Sequence, residues 1–208
     1  MEIPELSRTA QVLERIQQTL SSDHPIRICR IKRQDGLFPI APASADLHGP
    51  HPTALRSVNI VLVEPEIPPN TGNIARLCAA TGSTLHLIEP LGFEIDDKRL
   101  ARAGMDYWKL VTWKRWSTWN EFQTHLATGS RLWFVEQGAP RRYTQAEFAP
   151  DDYLVFGRET AGLPLALLQA HSEQWLDIPM ANPEARSLNL SNCVAIVLFE
   201  ALRQISNR

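Results

Sequence analysis

Ile178-Pro179-Met180-Ala181-Asn182-Pro183-Glu184-Ala185-Arg186-Ser187-Leu188-Asn189-Leu190-Ser191-Asn192 joins a strand pattern, residues 175–178, to a long apolar helix pattern that starts at Asn189. Pro179 stops the strand because proline has no N–H to give to a ladder. Asn and Ser at a helix entrance accept hydrogen bonds from the free N–H groups of the first turn. An ordinary helix-entry loop accounts for that much. It does not account for Arg186, Ser187, Asn189, Ser191 and Asn192 crowding beside a helix this apolar.

Upstream of that loop, strand and helix patterns alternate. Residues 58–63 read as a short apolar strand, and 70–81 as a helix with Ile74, Leu77 and Cys78 inward and Gly82 as its stop. Further strands are expected at 84–88, 109–113, 132–135, 153–156 and 175–178, and helices at 96–103, 117–126 and 164–170. Apolar strands alternating with helices pack as a mostly parallel sheet with helices on both faces, an α/β fold. The final helix, from 189 to about 206, carries one apolar stripe through Leu190, Cys193, Val194, Val197, Leu198, Ala201 and Leu202. A second set, Ala195, Ile196 and Phe199, lies off it. A helix apolar nearly all round is covered on more than one side. The second cover is either a partner subunit, giving a two-fold homodimer, or the N-terminal segment.

That N-terminal segment, 1–56, reads differently. Ser7 can cap a helix with Val12, Leu13, Ile16 and Leu20 on one face, and a strand signal covers 26–31. Residues 37–53 hold Pro39, Pro42, Pro50 and Pro52, a linker composition. The chain therefore divides into an appendage, 1–56, and an α/β domain, 57–208. His48 and His51 have an H-x-x-H spacing, but they lie in this proline-rich stretch without a Cys or a carboxylate pair, and no metal is expected.

At 208 residues, 44% hydrophobic and 21% charged, the chain reads as a soluble globular protein able to bury a core. No apolar run approaches the ~18 residues of a membrane span. The N-terminus carries Glu2 and Glu5 and lacks the apolar block of a secretory signal. Cys29, Cys78 and Cys193 suggest neither a disulfide framework nor a zinc site, and the latter two read as core thiols. A cytoplasmic protein is expected. A net charge of −2 creates no global field toward nucleic acid, so RNA binding needs a local patch. Lys98, Arg99 and Arg102, Lys114–Arg115, or Arg141–Arg142 can supply one, although each also reads as a solvated face.

No G-x-G occurs, which excludes the dinucleotide fingerprint and argues against an ordinary Rossmann-type methyltransferase or dehydrogenase; no P-loop or G-x-S-x-G elbow occurs either. What remains is three polar clusters, each at the end of a strand pattern. The first runs Glu64-Pro-Glu-Ile-Pro-Pro-Asn-Thr-Gly-Asn-Ile-Ala-Arg76, where Asn73 and Arg76 share the helix face opposite the apolar one. The second is Phe156-Gly-Arg-Glu-Thr-Ala-Gly-Leu-Pro164, where Gly157 and Gly162 permit a tight turn or a close ligand. The third is the 178–192 loop. Ligands of open α/β sheets sit beyond the carboxyl ends of the strands, so the three can meet in one site.

In this order the clusters resemble the three motifs of the SpoU branch of the SPOUT methyltransferases, closest to the compact tRNA wobble-nucleotide ribose methyltransferases. The resemblance runs from about residue 57 to the C-terminus. It implies an α/β fold with a C-terminal deep trefoil knot, contrary to the general rule of unknotted chains, and a homodimer. It implies S-adenosyl-L-methionine as methyl donor, held by Val135, Gly157, Ile178, Met180, Ser187 and Leu188, with no metal. It implies methylation of the ribose 2′-hydroxyl at the wobble nucleotide (position 34, cytidine or modified uridine) of tRNA, in leucine isoacceptors, with the anticodon stem-loop as partner.

Arg76 matches the arginine of motif one; Asn70, Glu159, Ser187 and Asn189 complete the expected catalytic group, with Asn70, Glu159, Arg186, Ser187 and Asn192 orienting substrate and loops. A guanidinium keeps its proton up to pH about 12.5–13.8, which makes it an awkward base. Arg76 is therefore expected to bind a phosphate and stabilise the developing alkoxide. Unstacked anticodon bases invite aromatic and cationic contacts, for which Tyr107, Trp108 and the 98–102 segment are candidates, with Trp108 reading equally as core. Phe199 stands where relatives can carry tyrosine, and the role of Arg158 is open. The alternatives are the same chemistry on ribosomal RNA or another tRNA site, and a non-catalytic RNA-binding protein.

Overall fold

The computed structural model describes residues 57–94, 106–182 and 184–206, the side chains of 106 and 107 excepted. The expected elements at 7–20, 26–31, 37–53 and 96–103, the Lys98–Arg99–Arg102 patch and the Tyr107 side chain lie outside the described residues.

Among the described residues, seven parallel strands form one sheet: β1 (Asn59–Val63), β2 (Thr84–Ile88), β3 (Trp113–Trp116), β4 (Leu132–Val135), β5 (Arg141–Arg142), β6 (Tyr153–Phe156) and β7 (Trp175–Asp177), in the order β3-β2-β1-β6-β4-β7-β5. Period-two alternation sends their apolar residues to two cores. Ile60, Leu62, Leu85, Leu87, Trp133, Leu154 and Phe156 face one side with helices α1 (Pro68–Thr81) and α4 (Leu190–Ser206). Val61, Val63, Ile88, Phe134 and Val155 face the other with the short helices α2 (Trp119–Thr124) and α3 (Leu165–Ala170). The fold is α/β with helices on both faces, as the alternation requires.

Two details correct the sequence reading. The strand expected at 109–113 lies at Trp113–Trp116, and residues 106–110 form a 3-10 turn. Lys109 and Leu110 point to solvent; the ladder with β2 begins at Leu85–Trp113. Trp108 is core, its ring 4.8 Å from that of Trp113. β5, with only two residues, gave no strand pattern; it is defined by pairing Arg141 with Leu176 and Arg142 with Asp177.

Two buried polar groups organise the sheet. Asp152 precedes β6 and accepts from Arg131 Nε (2.8 Å) and Nη2 (2.6 Å), from Trp133 Nε1 (2.8 Å) and from the Ala149 amide (2.9 Å). His86 on β2 accepts at Nδ1 from Trp116 Nε1 (3.1 Å), which leaves Nε2–H toward Asn59 Oδ1 at 3.4 Å. Burial, helped by the charge of Lys114, pushes the His86 imidazole from 6.5 down to about 4. Between those values the unfolded chain binds the extra proton. The stability from neutral His86 is therefore complete above pH about 6.5 and lost as pH falls toward 4, about 3 kcal/mol in all. Urea unfolding at pH 7 and pH 4.5 should show that loss, and His86→Phe should flatten it.

Candidate active site

The helix α1 begins with Pro68 and Pro69 at its first two positions, where fixed φ suits the helix and the missing N–H groups would be unpaired anyway. Its N-cap, Ile67, has no capping side chain, and its first turn has no acid. Glu159 supplies both from a distant loop. Its carboxylate accepts from the amides of Glu66 (2.8 Å) and Ile67 (3.2 Å), and from Asn70 Nδ2 (2.8 Å). A negative charge at a helix N-terminus is favourable. Glu66 answers across the same gap, accepting from Thr160 N (3.1 Å) and Oγ1 (3.0 Å).

The third loop joins through Asn70, whose Oδ1 accepts from Asn189 Nδ2 at 2.8 Å. Asn189 then caps α4: its Oδ1 accepts from the Ser191 amide (2.9 Å) and hydroxyl (2.7 Å). One hydrogen-bonded chain, Glu159–Asn70–Asn189–Ser191, thus ties together the loops after β6, β1 and β7. Asn70, Glu159 and Asn189, all expected in the catalytic group, share these polar atoms with each other and with backbone amides, which ties the three loops together.

These loops wall a cavity of about 270 Å³ at the carboxyl ends of β1, β4, β6 and β7. Asn70, Val135, Gly157, Glu159, Ile178, Met180, Ser187, Leu188 and Asn189 all line it. Arg76 does not; it lies on the exposed face of α1, as does Asn73. Asn192 is exposed and away from the lining, and Arg186 lines an adjoining polar hollow with Gly138 and Asp177.

Gly157 is held by space. A Cβ there would lie 2.1 Å from the Gly162 carbonyl carbon and 2.3 Å from the Leu163 nitrogen. Gly162 has φ 64°, a left-handed conformation that favours glycine, and a Cβ there would meet Glu136 Oε2 at 2.1 Å.

Glu136 and Gln137 line the cavity and were missed by the sequence reading. The Glu136 carboxylate accepts from the amides of Leu163 (2.9 Å) and Gln137 (3.1 Å) and so clasps the turn after β6. A polar residue directly after an apolar strand, Leu-Trp-Phe-Val-Glu, was the available signal. Cys193, expected as a core thiol, also lines the cavity; burial and the neighbouring Glu136 charge push it up to about 11. Cys78 is a core thiol, pushed up to about 12 by burial.

The model of the SpoU rRNA Methylase family matches residues 57–199. The chain belongs to that family. The tRNA (cytidine(34)-2′-O)-methyltransferase of Saccharophagus degradans is 49% identical over 148 residues, covering 71% of this chain and 95% of that protein. A solved structure described as giving insights into the 2-OH methylation of C/U34 on tRNA is 41% identical, with a TM-score of 0.69, covering 74% of this chain and 99% of the other. The SpoU methyltransferase AviRb of Streptomyces viridochromogenes, solved in complex with AdoMet, is 25% identical with a TM-score of 0.63, covering 74% of this chain and 59% of that one. Within the SpoU family frame, the cavity at the strand ends is the candidate cofactor site.

Proposed function

We propose that this chain is an S-adenosyl-L-methionine-dependent methyltransferase that modifies the ribose 2′-hydroxyl of the wobble nucleotide, position 34, cytidine or modified uridine, in tRNA. The carrying observation is the single wall made by three loops at the strand ends, in a chain that aligns with nearly the full length of relatives named for that reaction. The residues fit the cofactor. Val135, Ile178 and Leu188 offer apolar surface to an adenosyl group, and Gly157 lets the turn that lines the cavity pack against the Gly162–Leu163 backbone. The Glu136 and Glu159 carboxylates keep a negative field in a cavity suited to a sulfonium.

When bound, S-adenosylmethionine supplies a methyl group already activated for transfer. The chain's own task is to hold the ribose hydroxyl in line and to stabilise charge on its oxygen. Arg76, on the exposed face of α1, is the cation for that charge and for an adjacent phosphate; Ser187 orients the ribose at the cavity. The proposal includes a cytoplasmic homodimer and the C-terminal trefoil knot. Supporting the dimer, Ile196 and Phe199 on α4 are 37% and 55% exposed. Supporting the knot, β7 lies inside the sheet while the chain after it returns to pack α4 near α1. Among the described residues no helix is long and apolar enough to cross a membrane.

The test is incubation of the protein with labelled S-adenosylmethionine and separate pools of tRNA lacking wobble methylation and of ribosomal RNA, with leucine isoacceptors offered first. Digestion and mass spectrometry should place a 2′-O-methyl group at position 34. Label confined to ribosomal RNA or to another tRNA site would keep the chemistry and discard this substrate. Cofactor binding without transfer to any RNA would favour a binding protein.

A further inference from the structure

Arg158 is the one cationic side chain lining the cavity among the described residues. Its backbone is fixed: its carbonyl accepts from the Gly162 amide at 2.9 Å, and the turn it opens is packed against Gly157. Its head is loosely held. A single bond joins Nη1 to Glu64 Oε2 at 3.0 Å, with the two side chains 42% and 32% exposed. An exposed one-point pair of this kind exchanges readily for another anion, and a guanidinium has further N–H donors in a fork that matches phosphate.

The direction of that head decides between two anions. Glu64 follows β1, whereas Val135 ends β4 and Ile178 follows β7, both on the other side of β6. The Arg158 head therefore lies on the β1 side of the cavity, away from Val135 and Ile178 and toward α1, whose exposed face carries Asn73 and Arg76. Glu64 itself sits at φ 53°, a left-handed conformation uncommon for a residue with a side chain.

We propose that Arg158 binds a backbone phosphate of the RNA flanking the target nucleotide, and that Glu64 is the anion it holds until that phosphate displaces it. This rests on the RNA methyltransferase reading above and goes beyond it by assigning a substrate contact and an exchange. Arg158, from its loop, and Arg76, from α1, then grip the strand while the cofactor occupies the opposite side of β6.

The experiment measures binding of an unmodified anticodon stem-loop across a potassium chloride series, and S-adenosylmethionine binding by calorimetry, for the wild type, Arg158→Ala, Arg158→Lys and Glu64→Gln. Arg158→Ala should weaken RNA binding about 10-fold at low salt and reduce the log–log salt slope by about 0.7–1, the loss of one phosphate contact. Cofactor affinity should stay within about twofold. Arg158→Lys should restore the slope but only part of the affinity. Glu64→Gln should tighten RNA binding, since the competing anion is gone. An unchanged slope in Arg158→Ala, or a cofactor affinity that falls in step, would overturn the assignment; the latter would place the cofactor carboxylate on Arg158. If the wild type binds stem-loops of any sequence but methylates none at position 34, the substrate reading fails while the slope change still decides the role of Arg158. A wild type that binds no RNA overturns both.

Discussion

Arg76→Ala is expected to lower the rate of methyl transfer by about 10²–10³-fold, the usual cost of removing one preorganised group that meets charge developing in a transition state. Arg76 is exposed on α1 and outside the cavity lining, so cofactor affinity and melting temperature should hardly move. Single-turnover rates with saturating RNA, beside calorimetry with S-adenosylmethionine, separate these terms. Arg76→Lys should keep part of the rate, because a point charge stabilises an alkoxide without reproducing the guanidinium fork. A rate unchanged in Arg76→Ala would leave Arg76 a surface residue and return charge stabilisation to the cavity itself.

Gly157→Ala is expected to remove cofactor binding and to cost about 3 kcal/mol or more of stability, at the upper end of overpacking effects. The added carbon would have to displace the Gly162 and Leu163 backbone, not a flexible side chain. That movement opens the Leu163 amide–Glu136 bond and the Gly162 amide–Arg158 bond together. For a domain this size the melting temperature should fall by roughly 10 °C. Gly138→Ala is a useful contrast: that site has a φ of 78° but nothing within 4 Å of an added Cβ, so it reports strain without collision. If Gly157→Ala binds cofactor as the wild type does, the close approach of the two backbones does not shape the cavity.

Much of this site was visible in the sequence, for a reason that particular residues show. Glu64, Arg158, Glu159, Ser187 and Asn189 are polar residues set beside strongly apolar strands and helices, where a connecting loop alone does not require them. Ligand cavities of parallel sheets form at those strand ends. The sequence could not show what each side chain touches. Glu159 reaches Asn70, 89 positions away, and Asn70 is met by Asn189 across 119. Only the sheet order brings such partners together.

The misplacement of β3 has a different cause. Leu110 and Val111 looked like strand residues, but register was set by Trp113 and Trp116, which pack into opposite cores. Tertiary packing overrode local pattern there. β5 was invisible because two residues carry no period, and its only definition is the neighbour it pairs with.

The central claim is that the tied loops present one ribose hydroxyl for methylation. It is tested most directly with two anticodon stem-loops differing by a single atom, one with the 2′-hydroxyl at position 34 and one with 2′-deoxyribose there. Both are incubated with the protein and labelled S-adenosylmethionine. The account predicts label on the first and none on the second, with both bound about equally well. Equal label on the two would contradict it, because the acceptor would then be a base or a different ribose.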